Sequence, residues 1–277
     1  MRLFLKKNNT NCFRFFFLVL NLCLLALAGR SQRAEEIRRY KIPDSIHLQG
    51  VAVDDSFFYV ISNTSVYKYR KEDGRLTAFF DGKKDGIMKH LNGGIVRNGK
   101  LYCAHSNFPD TPMASSIEIF DVRTMRHIGN HSFGLFGGSV TWIDEKDGRW
   151  WAAFANYNGR RSSEGRDNRW TQLAAFTKKW EKLSSWIYPA NVLEAFAPYS
   201  NSGGAWSRNG ELYVTGHDRK EIYVLDIPTS GFTLKHIRTI PIVNSGQGIA
   251  LDRSVKTGET LYAVNREDNS IIVERLY

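Results

Sequence analysis

The feature that most restricts the fold of this chain is an internal echo. Ile42 to Asp54 (IPDSIHLQGVAVD) is matched by Ile240 to Asp252 (IPIVNSGQGIALD) at a constant offset of 198 residues. Weaker copies complete the series: LQGVAVDDSFFYVISN (48–63), LNGGIVRNGKLYCAHSN (91–107), GGSVTWIDEKDGRWWAAFAN (137–156), SGGAWSRNGELYVTGHD (202–218) and GQGIALDRSVKTGETLYAVN (246–265). Each begins on small or glycine-rich residues, runs through a short apolar strand and a turn, and enters a second strand on Tyr or Trp. A third alternating strand follows in every unit (65–69, 116–121, 172–176, 221–226 and 270–274), then a polar turn and an outer fourth strand. Five units make four intervals of about 50 residues, the length of a propeller blade.

The fifth unit stops at Tyr277 without a fourth strand, whereas Ile37 to Ile42 stands before the first unit as His236 to Ile240 stands before the last. The expectation is an all-β, five-bladed β-propeller whose N-terminal strand completes the last blade. Closure removes the exposed sheet edges of an open array. A β-sandwich is the competing architecture, but it gives no reason for the echo or for its terminal complement. No sixth blade is expected within 157–200, which reads as a long loop, one strand pair and a short helix over 189–196.

The N-terminus belongs to a different account. Arg2, Lys6, Lys7 and Arg14 precede an apolar run from Phe15 to Ala28, with small residues at Ala26 and Ala28 and no acid before them. This pattern describes a secretory signal peptide over 1–28 and a single propeller domain over 29–277. The run is shorter than the roughly 20 residues of a membrane span, so no stable span is expected after cleavage. Cys12 and Cys23 leave with the signal, and the remaining Cys103 has no partner for an intramolecular disulfide. A bacterial periplasmic or secreted location follows, with a monomer expected. Removing four basic residues from the net +10 leaves +6, and the expected partner is a small molecule rather than nucleic acid.

In a propeller the end of each second strand meets the beginning of the next first strand around one mouth of the central channel. The second-strand ends carry Asn63, His105 with Asn107, Asn156 with Tyr157, His217 with Asp218, and Asn265 with Arg266 and Glu267. The first-strand approaches carry His47 with Gln49, His90 with Asn92, Ser139, Asn201 with Ser202, and Asn244 with Gln247. Asn and Ser at strand ends also make turns, but four of seven histidines converging on one face points to a ligand site. The insertion 157–169 adds Arg160, Arg161, Arg166 and Arg169 over the same mouth, where guanidinium groups suit a carboxylate or phosphate. Trp170 beside it is a platform for stacking on a sugar or flat acid. The prolines of 108–113 stiffen a neighbouring wall.

The stretches 90–121, 150–159 (WWAAFANYNG), 198–218 (PYSNSGGAWSRNGELYVTGHD) and 246–253 (GQGIALDR) resemble a family of bacterial exported propeller proteins. Some members are labelled cycloisomerase, by distant likeness to the propeller enzymes that lactonise carboxymuconate. The resemblance covers nearly all of the chain beyond the signal and implies the propeller fold and export. No nucleophile elbow, P-loop, dinucleotide fingerprint or HExxH helix is present, which leaves acid–base chemistry or a metal held by several blades. His105 and His217 are the expected proton-transfer pair, with Glu267 as a third candidate. A divalent metal at the mouth stays open, because each ligand would come from a different repeat. The expected function is an enzyme acting on a small polar, anionic substrate such as a sugar acid or lactone. The alternative is a non-catalytic module that binds carbohydrate or protein through equivalent sites on every blade. Differences among Gln49, Asn92, Gly137, Gly203 and Gln247 at the mouth favour the single asymmetric site of an enzyme.

Overall fold

A computed structural model of the chain describes residues 32–277 apart from Asp85, Phe136, Arg160 and Arg161. The expected signal over 1–28 lies outside the described residues. Among the described residues, twenty strands form five four-stranded antiparallel sheets. Blade 1 contains β2 (Gly50–Val53), β3 (Phe57–Ile61), β4 (Ser65–Arg70) and β5 (Leu76–Asp81). Blade 2 contains β6 (His90–Arg97), β7 (Lys100–Ser106), β8 (Ser115–Asp121) and β9 (Arg126–Gly134). Blade 3 follows with β10 (Ser139–Lys146), β11 (Arg149–Ala155), β12 (Gln172–Phe176) and β13 (Lys182–Ile187). Blade 4 has β14 (Gly203–Trp206), β15 (Leu212–Thr215), β16 (Glu221–Asp226) and β17 (Lys235–Pro241). Blade 5 combines β18 (Ile249–Leu251), β19 (Glu259–Asn265) and β20 (Ser270–Leu276) with β1 (Ala34–Lys41) from the other end of the chain. The register runs from Ala34 opposite Leu276 to Lys41 opposite Ser270, which closes the ring as the sequence predicts. The 157–200 stretch supplies no extra blade. It holds the 157–169 loop, the pair β12–β13 and a helix, α1 (Ala190–Phe196).

The core is divided among the seams between neighbouring blades, because a buried strand points successive side chains to opposite faces. On β3, Phe58 and Val60 join Tyr262, Val264 and Ile271 of blade 5, while Tyr59 and Ile61 join Leu91, Leu101 and Cys103 of blade 2. The same division repeats between blades 2 and 3, 3 and 4, and 4 and 5. Cys103 is thus a buried hydrophobe of one seam.

Glycines at the inner strands let five sheets meet around a narrow axis. A Cβ on Gly248 would sit 2.8 Å from the Gly50 Cα, and one on Gly50 would sit 2.7 Å from the Asn92 carbonyl carbon. At Gly204 a Cβ would fall 2.3 Å from the Trp142 ring, whose Nε1 donates to Asn201 Oδ1 at 2.6 Å across the seam between blades 3 and 4. One end of the channel is narrow. There the buried Asp144 carboxylate accepts from Arg253 at 2.6 Å and from the Trp206 amide at 2.8 Å, beside a void of only about 10 Å³.

The seam geometry makes Gly204→Ala costly, since the methyl group meets a ring pinned by its own hydrogen bond rather than a movable chain end. Urea denaturation is expected to show a loss of at least about 1–3 kcal/mol, and an unchanged midpoint would contradict this packing.

Candidate functional site

The opposite end of the channel opens into a cavity of about 180 Å³, lined by Gln49, His90, Asn92, Phe108, Thr141, Tyr157, Tyr199, Ser202, His217, Gln247 and Arg266. This is the face where the strand-end residues were expected to converge. The floor takes one polar side chain from each blade: Gln49, Asn92, Thr141, Ser202 and Gln247. In blades 3 and 4 these are Thr141 and Ser202, not Gly137 and Gly203. A register shift between Leu91 and Gly94 and another between Val140 and Trp142 mark β-bulges at Asn92–Gly93 and Thr141. Such bulges re-aim a side chain out of the regular alternation, and the second one hid Thr141 from a reading based on repeat spacing.

Arg266 is the organising group of the wall. Its Nε donates to the Leu48 carbonyl at 2.8 Å and its Nη2 to Gln49 Oε1 at 2.6 Å. Gln49 Nε2 in turn donates to Asn63 Oδ1 at 2.7 Å. Nη1 lies 2.9 Å from His217 Nε2. With the Gln247 amide turned to satisfy its neighbours, its Oε1 accepts from Nη1 at 2.8 Å and from Nη2 at 3.2 Å. All five guanidinium donors therefore face neutral acceptors, and among the described residues Arg266 makes no salt bridge. Burial lowers its pKa, with Asp218 and Tyr199 acting in the opposite direction.

His217 stacks on the Tyr199 ring with centroids 3.9 Å apart, and its Nδ1 is bonded to Asp218 Oδ1. An Nη1 donor beside Nε2 requires a lone pair there, which assigns the ring proton to Nδ1, facing the carboxylate. Gln247 Oε1 stands 3.1 Å from the same Nε2. Nε2 consequently has a donor at hand when neutral and an acceptor at hand when protonated.

The other expected residues divide into those the cavity gathers and those the fold consumes. Tyr157 and His90 flank Phe108, each with its ring centroid 4.9 Å away. His47 is exposed and near enough to Arg266 for the guanidinium, together with burial as the larger cause, to lower its pKa. His105 departs from expectation. It shares a strand face with Leu101 and Cys103, so it points into the seam between blades 1 and 2. There Nδ1 is 2.9 Å from Ser116 Oγ and Nε2 accepts from the Lys89 amide at 3.1 Å. Beside it the buried Glu118 binds Ser116 Oγ at 2.6 Å and His127 Nε2 at 2.8 Å. Glu267 is also outside the cavity, exposed and paired with Lys220 at 3.0 Å.

The asparagines mostly do the turn and linker work that their type suits. Asn107 spans its loop from Pro112 O to the Ala114 amide, at 3.0 and 2.8 Å. Asn156 donates to Gly137 O and Trp170 O, and Asn201 donates to Gly203 O and Thr215 O. Asn265 donates to Asp268 Oδ1 at 2.6 Å. Trp170 is exposed, with the Arg166 guanidinium 5.6 Å from its ring centroid, and Arg169 is paired with Asp167. Arg160 and Arg161 lie outside the described residues. Tyr199 and Thr141 were missed by sequence reasoning. Tyr199 had a signal in the PYSNSGG word, four residues before the Gly203 that opens β14, whereas Thr141 had none.

Among the described residues no carboxylate lines the cavity while a half-buried guanidinium does, an electrostatic setting that opposes a divalent cation. His90 responds to the same setting. Burial first, then Arg266, His105 and His47, bring its pKa down to about 4. An unfolded-state value near 6.5 means that the unfolded chain binds more protons between pH 6.5 and 4. Stability is therefore lost as pH falls through that window, by about 3 kcal/mol from His90 alone. His90→Gln is expected to flatten most of this slope in urea titrations run at pH 7, 5.5 and 4. An unaltered slope would remove His90 as its source.

No protein-family model matches the chain, and no curated protein matches it. Among solved structures the chain is similar to the glutaminyl cyclase of Myxococcus xanthus, with a TM-score of 0.62 and 11% identity over 89% of this chain and 97% of that one. It is also similar to the PQQ-bound aldose sugar dehydrogenase of Streptomyces coelicolor, with a TM-score of 0.57 and 12% identity over 90% and 99% of the two chains. A luciferin-regenerating enzyme follows at 0.50 and 10% over 89% and 95%. At such identities the likeness establishes the β-propeller fold, in company that includes enzymes.

Proposed function

We propose that this propeller is an enzyme of the isomerase, lyase or hydrolase type acting on a small polar anion, such as a sugar acid or lactone, at the open mouth of its channel. The observation that carries the reading is the setting of His217: Asp218 on Nδ1, and both a donor and an acceptor beside Nε2. A group that must give and take a proton in one cycle needs partners for both states. Asp218 holds the tautomer, and Tyr199 holds the ring plane. Arg266 supplies a fixed positive charge to the site while its own hydrogens remain occupied, so it favours an anion through its field. His105 and Glu267, expected as catalytic partners, have no part in this reading. The fold is compatible with catalysis, as the similar cyclase and dehydrogenase illustrate, and contributes nothing more about the reaction. With a signal cleaved from 1–28, the enzyme would work in the periplasm or outside the cell. The cycloisomerase label of the resembling family falls within the proposed reaction types.

A thermal-shift screen of sugar acids and lactones, followed by turnover assays on those that bind, tests the proposal. With an identified substrate, His217→Ala is expected to lower kcat about a hundredfold or more and Asp218→Asn about tenfold. His105→Ala is expected to leave kcat within about twofold while lowering the midpoint of unfolding. Full turnover by His217→Ala would sink the assignment, and repeated weak sites on every blade would favour a binding module.

A further inference from the structure

The floor of the cavity is chemically two-sided. On the side of blades 5 and 1, Gln247 and Gln49 are engaged by Arg266. On the side of blades 2, 3 and 4, Asn92, Thr141 and Ser202 retain unused polar atoms. Asn92 spends Oδ1 on the Gly93 amide at 3.1 Å, and among the described residues its Nδ2 has no partner. Thr141 is 1% exposed and its Oγ1 is a buried atom without a hydrogen bond. Ser202 is 8% exposed, and its backbone amide is bonded to Thr215 O while its hydroxyl makes no hydrogen bond among the described residues. A buried hydroxyl without a partner costs about 1–3 kcal/mol, which applies to Thr141 Oγ1, and the blades on either side bring Asn92 Nδ2 and Ser202 Oγ, unpartnered among the described residues, to the same cavity. The first two stand on the β-bulges that turn them inward.

We propose that the arc of Asn92, Thr141 and Ser202 is the carboxylate-binding part of the site, and that it takes a hydroxylated monocarboxylate with its charged end toward the channel axis. An amide N–H and two hydroxyls are donors to an oxyanion. The charge that makes an anion preferable to a neutral hydroxyl is Arg266, which is half-buried and, among the described residues, paired with no carboxylate. Because all five Arg266 donors are taken, the direct hydrogen bonds to the anion must come from elsewhere, and this arc is the available set. The far end of the ligand then lies among Phe108, Tyr157, Tyr199 and His217. A volume of about 180 Å³ is below the roughly 300–1,000 Å³ of drug-sized sites, so the ligand is about the size of one sugar acid. This inference rests on the anion-site reading above and adds which residues hold the charged group.

Calorimetric titration of the full chain tests it, using acetate, lactate, glucuronate and galactarate, with methyl glucuronate as the uncharged control. Thr141→Val and Ser202→Ala remove hydroxyls with little change of volume. Each is expected to weaken carboxylate binding about tenfold or more, and the double variant about a hundredfold. Methyl glucuronate is expected to bind wild type and variants alike, and the unfolding midpoints not to fall below wild type, with Thr141→Val raising its midpoint by removal of the unpartnered hydroxyl. Wild-type affinity for the carboxylates in a folded double variant would overturn the arc. If Arg266→Gln lost binding in the same experiment, the anion-site reading would survive that result. Failure of the wild type to bind any of these carboxylates at millimolar concentration would overturn both.

Discussion

Everything at the mouth depends on the pairing of β1 with β20. That pairing brings the chain leaving β1 directly beneath the β19–β20 turn, where Asn269 Nδ2 reaches the carbonyls of Ile42, Pro43 and Ile46. Two residues further on, the Leu48 carbonyl accepts from Arg266, and Gln49 follows it. The segment that closes the ring is thus also the segment that fixes the guanidinium. Unpairing β1 would release the acceptors on the blade 1 side of Arg266 and with them the position of His217. Stability and site geometry share one seam.

The consequence is a half-buried positive charge held by dipoles. Desolvating a guanidinium is expensive unless its hydrogens are satisfied, and here a backbone carbonyl, two glutamine side chains and an imidazole satisfy them. A paired carboxylate would have offset the charge locally and left the cavity electrostatically dull. Neutral acceptors leave the field unspent, and it adds to burial, the larger cause, in lowering the pKa of His90. The net positive charge of the chain is a poor guide to this. Arg169 is held by the Asp167 carboxylate and Arg166 lies over Trp170, so neither described arginine of the 157–169 loop lines the cavity. The cation that matters follows Asn265 in a blade turn.

The architecture was legible because a repeat fold writes the same local pattern many times. The 198-residue echo, the five alternating third strands and the missing fourth strand all point to one closed ring, and each corresponds to an observed element. The site was legible only in part. Its face and several of its members, among them Gln49, His90, Asn92, Tyr157, His217, Gln247 and Arg266, follow from equivalent positions in the repeat. Asn156 and Asn201 have the right positions but donate to the backbone carbonyls around them, and Asn265 donates to the nearby Asp268 carboxylate, since an amide near free acceptors is satisfied locally before it serves a ligand. His105 was misplaced by a single step of strand alternation, which turns a side chain from the channel mouth into an inter-blade seam.

By itself, then, the sequence determined the blade number, the closure by the N-terminal strand and the face on which the candidate cavity opens, because these depend on periodicity and turn chemistry spread over many residues. Only the tertiary structure decided which polar groups remain available there. Availability is set by hydrogen-bond partners from other blades and by bulges that shift the register by a residue. Those contacts join positions more than 200 residues apart, as between Arg266 and Gln49, and no local pattern encodes them.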